Sequence, residues 1–198
     1  MSTNIEALSD SELLGLVVGT GAAAHFLEEA GGSLGSLLSD VTGTGERCGW
    51  LQTRVAAAAE VMRRSLLQAL GTRDVLTAPS RVREYLQLTL AFRDREVFYG
   101  IFLDAQNRVI ASEELFRGTL SQTSVYPREV VRRALALNAA AVIFAHNHPS
   151  GIAEPSRADE LLTKALKDAL AMVDVKVLDH FIVAGNTPPL SFAERGLL

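Results

Sequence analysis

The sequence contains a single cysteine, Cys48, among 198 residues. One cysteine excludes an internal disulfide and any metal site built from Cys-x-x-Cys pairs. The longest nearly apolar run, residues 134–145, is interrupted by Asn138, and it is shorter than the about 20 residues needed to cross a bilayer. The first residues lack a basic cluster followed by an apolar segment, so we expect no signal peptide. These absences predict a soluble, cytoplasmic protein without membrane association.

An excess of positive charge is also lacking. Residues 1–70 contain eight acidic and four basic side chains, and residues 71–198 contain fifteen of each, giving a net charge of −4. Neither part carries the positive excess that usually binds phosphate groups. Arg128, Arg132 and Arg133 have helical spacing, which is more typical of a solvated face than of a nucleic-acid site. The charge distribution therefore disfavours DNA as a partner.

The pattern of apolar residues predicts two regions of different architecture. Residues 9–70 are predicted to be helical, with breaks at 19–21, 31–32 and 43–49 and a long helix over 50–70. Residues 71–79 are rich in loop-forming residues and mark the boundary. Beyond them we predict helices over 81–92, 127–138 and 156–172, strands over 96–103, 108–116, 140–145 and 175–184, and one further short pairing within 188–198. We therefore expect a layered α/β or α+β domain over 77–198 after an all-α domain over 1–72.

Residues 146–159 are the one segment whose sequence suggests chemistry. His146 and His148 are two apart at the end of a predicted strand, so both imidazoles point to the same side. Asp159 lies in the first turn of the next predicted helix, from where its carboxylate reaches back toward them. Two imidazoles and one carboxylate suit Zn²⁺, and three protein ligands leave a fourth position open, as in a catalytic zinc site.

Simpler interpretations of the same residues exist. Ser156 and Asp159 have the spacing of a helix capping box, which by itself explains both. His146 and His148 are equally compatible with a polar turn, since a bare His-x-His pair is a weak signal. The capping role and the ligand role are compatible, because one carboxylate has two oxygens.

The segment resembles the JAMM signature of JAB/MPN-type metalloproteases. In this sequence His146-x-His148 is separated by seven residues, beginning with Pro149, from Ser156-x-x-Asp159. The sequence is most similar to the RadC group of bacterial JAB-domain proteins. The similarity covers about residues 77–198 and continues more faintly into the N-terminal helices. It includes the segments 95–98, 115–120, 125–129, 146–151, 155–156 and 178–181.

The resemblance implies a fold and a role for each matching residue. The fold would be a mixed β-sheet flanked by helices, similar to that of cytidine deaminases. His146, His148 and Asp159 match the zinc ligands, and Ser156 matches the serine that helps hold the oxyanion. Glu96 matches the glutamate that takes a proton from the attacking water and passes it to the leaving amine.

Several assignments stay open at this point. The residues alone do not distinguish Glu96 from Glu113, Glu114 or Glu154, and Glu96 is also compatible with a carboxylate paired to Arg93 or Arg95 at a strand edge. Asp179 and His180 either orient a metal ligand or form a hydrogen-bonded pair at the entry to a core strand, and we favour the pair. Asn147 differs from the serine or threonine of eukaryotic members and agrees with the RadC group.

The N-terminal region resembles the helix-hairpin-helix-type domain that precedes the JAB domain in this group. Its Gly43-Thr44-Gly45 turn is followed by Glu46, and the region is net acidic. The resemblance therefore leaves open DNA binding and, at least equally, a packing or regulatory role.

We predict from the sequence a zinc-dependent metallopeptidase acting on a peptide or isopeptide bond in an unidentified protein substrate. The alternative is a non-catalytic or DNA-associated accessory protein, related to DNA repair, whose JAB domain only binds partners. A third interpretation is an intact hydrolase gated by the loop at residues 151–155 or by a partner. Exposed strand edges are compatible with a monomer or a homodimer.

Overall fold

The computed structural model describes residues 8–29, 31, 32, 37, 49–72, 74–118 and 125–198. It divides the chain into two compact units, Met1–Arg63 and Arg64–Leu198. The sequence-based domain limits, 1–72 and 77–198, stay a prediction. In the first unit, helix α1 (Asp10–Val18) begins with a capping box between Ser9 and Glu12. Helix α2 spans Thr20–Glu29, and helix α3 spans Gly49–Gly71, so the division falls inside α3.

The first unit has its own small apolar cluster. It consists of Leu14, Val18, Ala23, Leu37 and Val55, with Phe26 and Leu27 packed against it. The predicted helix break is narrower than expected, because only Gly19, with φ of +99°, separates α1 from α2. A further helix predicted within 9–70, over 33–39, lies outside the described residues apart from Leu37. Residues 43–48 of the predicted break at 43–49 also lie outside them, and Gly49, the last residue of that predicted break, begins α3 instead.

The second unit contains a mixed five-stranded sheet with strand order β2-β1-β3-β4-β5. The strands are β1 (Val97–Leu103), β2 (Val109–Arg117), β3 (Ala141–Asn147), β4 (Lys176–Val183) and β5 (Leu190–Ser191). Strand β1 pairs antiparallel with β2 and β3, β3 pairs parallel with β4, and β5 pairs antiparallel with β4. The pairing of β5 confirms the predicted short addition at the C-terminal end.

Helices cover both faces of the sheet. They are α4 (Pro79–Leu90), α5 (Pro127–Ala136), α6 (Arg157–Ala171) and the short α7 (Phe192–Arg195), with a 3₁₀ turn at Val75–Thr77. Alternate residues of a strand point to opposite faces. The odd-numbered residues of β1 and β3 accordingly pack with α4. The even-numbered residues pack with α5 and α6. Every residue of β1 and β3 is buried, which explains their continuous apolar sequence.

The α+β class with a mixed sheet, predicted from the sequence, is confirmed. The predicted helices and strands of the second unit all occur, with ends displaced by a few residues. Among the residues that the structure describes, no helix combines the length and the apolar content needed to cross a membrane.

Gly100 of β1 lies close to side chains of β2 and of β1 itself, and we expect alanine to be tolerated poorly at this position. A Cβ at Gly100 would lie 2.8 Å from Leu115 Cδ1 and 3.2 Å from Phe102 Cε2. Because the buried ring of Phe102 must give way slightly and the end of the partly buried Leu115 side chain must shift, we expect Gly100→Ala to lower the free energy of unfolding by about 1 kcal/mol, measured by urea denaturation. Gly21→Ala is the control, since a Cβ at Gly21 meets no atom within 4 Å. Equal effects of the two substitutions would contradict this packing.

Candidate metal centre

The carboxyl end of β3 positions the two histidines of the candidate site. His146 is the sixth residue of β3, is 1% exposed, and lies opposite Phe98 of β1. The backbone N–H of His148 donates to the carbonyl of Val183 at 2.9 Å, which extends the β3–β4 pairing just beyond the strand. Both histidines are therefore held by sheet hydrogen bonds rather than by a free loop.

A chain of hydrogen bonds fixes the tautomer of His146. The Thr163 hydroxyl donates to the carbonyl of Asp159 at 2.6 Å, so its oxygen accepts from Nδ1–H of His180, also at 2.6 Å. His180 Nε2 then has no proton, and it accepts from Nδ1–H of His146 at 2.8 Å. The remaining nitrogen of His146, Nε2, is left with a free lone pair, as a metal ligand requires.

The same logic applies to His148. Its Nδ1 lies 2.7 Å from the carbonyl of Ile152, and because a carbonyl only accepts, Nδ1 carries the proton. Nε2 of His148 is consequently unprotonated in the neutral ring. The two Nε2 atoms of His146 and His148 lie 3.0 Å apart. Two lone pairs directed at the same point repel each other unless a cation or a proton lies between them.

Asp159 combines the capping role with the ligand role. Its Oδ2 accepts from the backbone N–H of Ser156 at 2.7 Å and from the Ser156 hydroxyl at 2.6 Å, while the Ser156 oxygen accepts from Asp159 N–H. This is the capping box at the start of α6. Asp159 Oδ1 takes no part in the box and lies 3.4 Å from His146 Nε2. The carboxylate therefore has one oxygen for the helix and one for a metal.

The three side chains fit a zinc ion by geometry and by chemistry. One ligand atom from each of His146, His148 and Asp159 lies within 4.8 Å of the others. Ligands at about 2.0–2.1 Å from a tetrahedral Zn²⁺ are about 3.3–3.4 Å apart. The observed separations of 3.0 Å between the two Nε2 atoms and 3.4 Å between His146 Nε2 and Asp159 Oδ1 are close to this value. The described residues therefore include a group able to hold a metal.

The electrostatics of the site favour metal binding near neutral pH. Burial lowers the pKa of His146 to about 4, although the Asp159 carboxylate opposes the shift. For Asp159, burial acts to raise the pKa, but hydrogen bonds from His148 and Ser156 and the charge of His146 outweigh it and bring the pKa well below its usual value. The hydrogen bond with Asp159 raises the pKa of His148, and Glu96 contributes. A proton consequently competes with a metal for His148 alone.

The register of β1 places Glu96 next to the histidines. The β1–β3 ladder ends at Phe98 opposite His146, and continuing the antiparallel register by two residues would set Glu96 opposite His148. Residues two apart share a face, so Glu96 lies on the same face as Phe98, whose ring stacks on His146 at 6.3 Å. The negative charge of Glu96 acts on His148. Strand pairing, rather than any local motif, brings this glutamate to the site.

The other three candidate glutamates have different positions. Glu113 forms an ion pair with Arg133 at 2.5 Å, and Glu114 forms one with Arg117 at 2.8 Å, both involving β2. Glu154 is exposed on the loop after His148 and lies 3.8 Å from Arg195. Each of these three glutamates thus has an arginine as its ionic contact.

The side chains of Asp179 and His180 have different partners. Asp179 accepts from the hydroxyl of Ser191 at 2.6 Å and from the backbone N–H of Ala193 at 3.0 Å, so it holds the start of α7. His180 is fully buried and contacts His146 and Thr163 instead. Asp179 Oδ1 also accepts from the backbone N–H of His180 at 2.7 Å, so the two residues do form a hydrogen-bonded pair, while the ring of His180 contacts a candidate ligand.

Sequence reasoning missed Thr163, whose hydroxyl links His180 to the helix that carries Asp159. It lies four residues after Asp159 on α6, the spacing at which a threonine hydroxyl reaches a backbone carbonyl. That spacing was the available signal, but the partner, His180, comes from β4 and is not predictable from helical periodicity.

Replacing Thr163 tests the importance of this link. Thr163→Val keeps the shape but leaves Nδ1–H of the buried His180 without its acceptor, so we expect zinc affinity to fall about 10–100-fold, the usual effect of losing such an outer contact. Competition with a chromophoric chelator measures it. Thr89→Val is the matched control, because Thr89 is buried in α4 and donates to the carbonyl four residues earlier at 2.7 Å. Equal zinc affinities in both variants would contradict the link.

The sequence comparisons agree with this fold. The model of the RadC-like JAB domain family matches residues 76–197. A UPF0758 protein of Dechloromonas aromatica is 58% identical over 207 residues, covering 97% of this chain and 90% of the relative. UPF0758 proteins of Leptothrix cholodnii and Nitrosomonas eutropha are 54% and 52% identical, covering 97% and 96% of this chain and 91% and 90% of theirs. These names state no activity or substrate. The resemblance to the RadC group is thereby confirmed, and the chain belongs to the RadC-like JAB domain family.

Proposed function

We propose that the chain is a zinc-dependent hydrolase of the JAMM type that cleaves a peptide or isopeptide bond. The observation that carries the proposal is the pair of imidazole Nε2 atoms 3.0 Å apart, with a carboxylate oxygen 3.4 Å from one of them. Both tautomers are set by hydrogen bonds that lead away from the site, to His180 and to a backbone carbonyl. Such a preset donor group is typical of a metal centre.

The three protein ligands leave room for a substrate oxygen or water, as catalytic zinc sites do. Bound zinc acts as a Lewis acid, which polarises a carbonyl and makes water a better nucleophile near neutral pH. Everything else must come from the side chains around it.

Glu96 is proposed as the group that moves the proton. Its place opposite His148 puts a carboxylate beside the ligands but outside the ligand set. A carboxylate there accepts a proton from the attacking water and returns it to the leaving amine, so one residue acts as base and then as acid.

Ser156 is proposed to stabilise the oxyanion. Its hydroxyl lies 2.6 Å from Oδ2 of the candidate ligand Asp159, at the N-terminus of α6. Rotation about its side-chain bond turns the same proton toward a substrate oxygen. The helix N-terminus adds a favourable partial positive charge for a developing negative charge.

A cleavage screen with metal removal tests the function. The zinc-loaded chain is incubated with a panel of peptides and of ubiquitin-like proteins joined through isopeptide bonds, before and after chelation. We expect cleavage of at least one conjugate, its loss on chelation and its return when zinc is added back. A chain that binds about one zinc yet cleaves none of the panel would favour the alternative in which the JAB domain only binds partners.

A further inference from the structure

Asn147 lies between the two histidines in sequence, yet its side chain points to the opposite face of the sheet. It is 2% exposed, and its backbone lies in the ladder between β3 and β4, opposite Val183. Among the described residues, its side chain forms no hydrogen bond with a group of the candidate metal site. They go instead to the backbone that leads into β1.

The three side-chain hydrogen bonds of Asn147 go to backbone groups on both sides of Glu96. Oδ1 of Asn147 accepts from the backbone N–H of Val97 at 2.8 Å. Nδ2 donates to the carbonyl of Arg95 at 3.0 Å and to that of Arg93 at 3.3 Å. The residue between Arg95 and Val97 is Glu96, so one side-chain amide holds the peptide groups on both sides of it.

This arrangement replaces a missing stretch of strand pairing. The backbone ladder between β1 and β3 ends at Phe98 opposite His146, although β3 continues its pairing with β4 through Asn147. The N–H of Val97 and the carbonyl of Arg95 would otherwise face β3 without a partner, which is costly for buried backbone groups. The amide of Asn147 has one acceptor and two donors, so it supplies what a further peptide group of β3 would supply.

The opposite side of Glu96 is held as well. Its own carbonyl accepts from the backbone N–H of Gly118 at 2.8 Å, at the end of β2. The backbone of Glu96 is thus fixed from β2 by a main-chain bond and from β3 by the side chain of Asn147. Since Asn147 is flanked by His146 and His148, any displacement of the ligands and of Glu96 relative to each other is resisted by this one side chain.

We propose that Asn147 is a positioning residue, which holds the entry of β1 so that the carboxylate of Glu96 faces the metal held by His146 and His148. This inference rests on the proposed function, because it gives Glu96 its place relative to the metal. Asn147 itself touches neither metal nor substrate.

The test uses the full chain loaded with Co²⁺ in place of zinc, since the visible spectrum of Co²⁺ reports its surroundings without needing a substrate. The readout is the midpoint of the pH-dependent change in that spectrum. Removing a nearby negative charge makes loss of a proton at the metal easier, so Glu96→Gln should lower the midpoint. If Asn147 positions Glu96, Asn147→Ala lowers it about as far, and the double variant lowers it no further than Glu96→Gln alone.

Controls separate the outcomes. Tyr85→Phe removes the buried hydroxyl that bonds Tyr99 and Ser112 around α4, and should leave the midpoint unchanged. If Asn147→Ala does not fold, Asn147→Ser, which keeps one hydroxyl to bond this backbone, should give a smaller shift in the same direction. Hydrogen exchange of the Val97 amide should accelerate in both Asn147 variants.

Two results would overturn the positioning role of Asn147 alone. These are a shift for Glu96→Gln but none for the Asn147 variants, or a double variant in which the two shifts add. No shift for Glu96→Gln itself would overturn the proposed role of Glu96 and the positioning role together.

Discussion

Replacing His146 and His148 together by alanine is expected to abolish zinc binding. A chain purified without added zinc should carry about one ion, and the double variant should carry only background metal. The physical reason is that Asp159 alone remains, with one of its oxygens already engaged by the capping box. Metal analysis of the purified proteins gives the answer directly.

Thermal unfolding provides a second measurement of the same loss. A ligand present at about 100 times its Kd stabilises the native state by about 2.7 kcal/mol, and one kcal/mol shifts Tm by about 2–4 °C in a chain of this size. Zinc should therefore raise Tm of the wild-type chain by about 5–11 °C and leave Tm of the double variant unchanged. Each variant is compared with its own metal-free form, because removing His146 also leaves the buried His180 without its partner.

His25→Ala is the control for histidine removal, since His25 belongs to α2 in the first unit. It should keep the full zinc content and the full shift of Tm. A double variant that retains about one zinc would show that the ion is bound by other residues.

Replacing Glu96 by glutamine should reduce the rate of cleavage about 10²–10⁴-fold while zinc content stays the same. Glutamine keeps the shape but neither accepts nor carries the proton. Because the loss concerns proton transfer and not substrate binding, it should appear in kcat, with KM little changed. Steady-state kinetics on whichever conjugate the screen identifies, with metal analysis of the same samples, measures it.

Glu114→Gln is the matched control for this prediction. Glu114 is ion-paired with Arg117 on β2 at 2.8 Å, so its loss removes the same charge from a residue that has no part in the proposed proton path. Its kinetics should equal those of the wild-type chain. If Glu96→Gln retains full kcat, another group moves the proton, and Glu96 is only a neighbour of His148.

The ligands could be predicted from the sequence because they are local. His146, His148 and Asp159 lie within fourteen residues, and the strand, turn and helix that carry them follow from periodicity and capping. The double role of Asp159 followed in the same way, since the chemistry of a carboxylate allows one oxygen for each task. Local pattern and tertiary structure agree at this point of the chain.

Glu96, His180 and Asn147 show where sequence reasoning stops. Glu96 meets His148 only through the register of β1 on β3, fifty residues apart, and without the family resemblance no local signal distinguished it from three other glutamates. His180 meets His146 through the parallel pairing of β3 and β4. The side chain of Asn147 bonds the backbone that leads into β1, which is likewise distant in sequence. Each contact depends on long-range strand pairing, which single-sequence periodicity does not contain.

The parallel pairing of β3 with β4 also fixes when the site can form during synthesis. A nascent chain that has emerged as far as residue 171 already contains Glu96, both histidines and Asp159, but not His180 or the strand that carries it. Until β4 docks, His146 has no partner for Nδ1–H and His148 has no backbone anchor at Val183. The arrangement of the candidate ligands is therefore completed only after β4 has been synthesised and has paired with β3, and a nascent chain that ends before residue 176 lacks the contacts that orient both histidines.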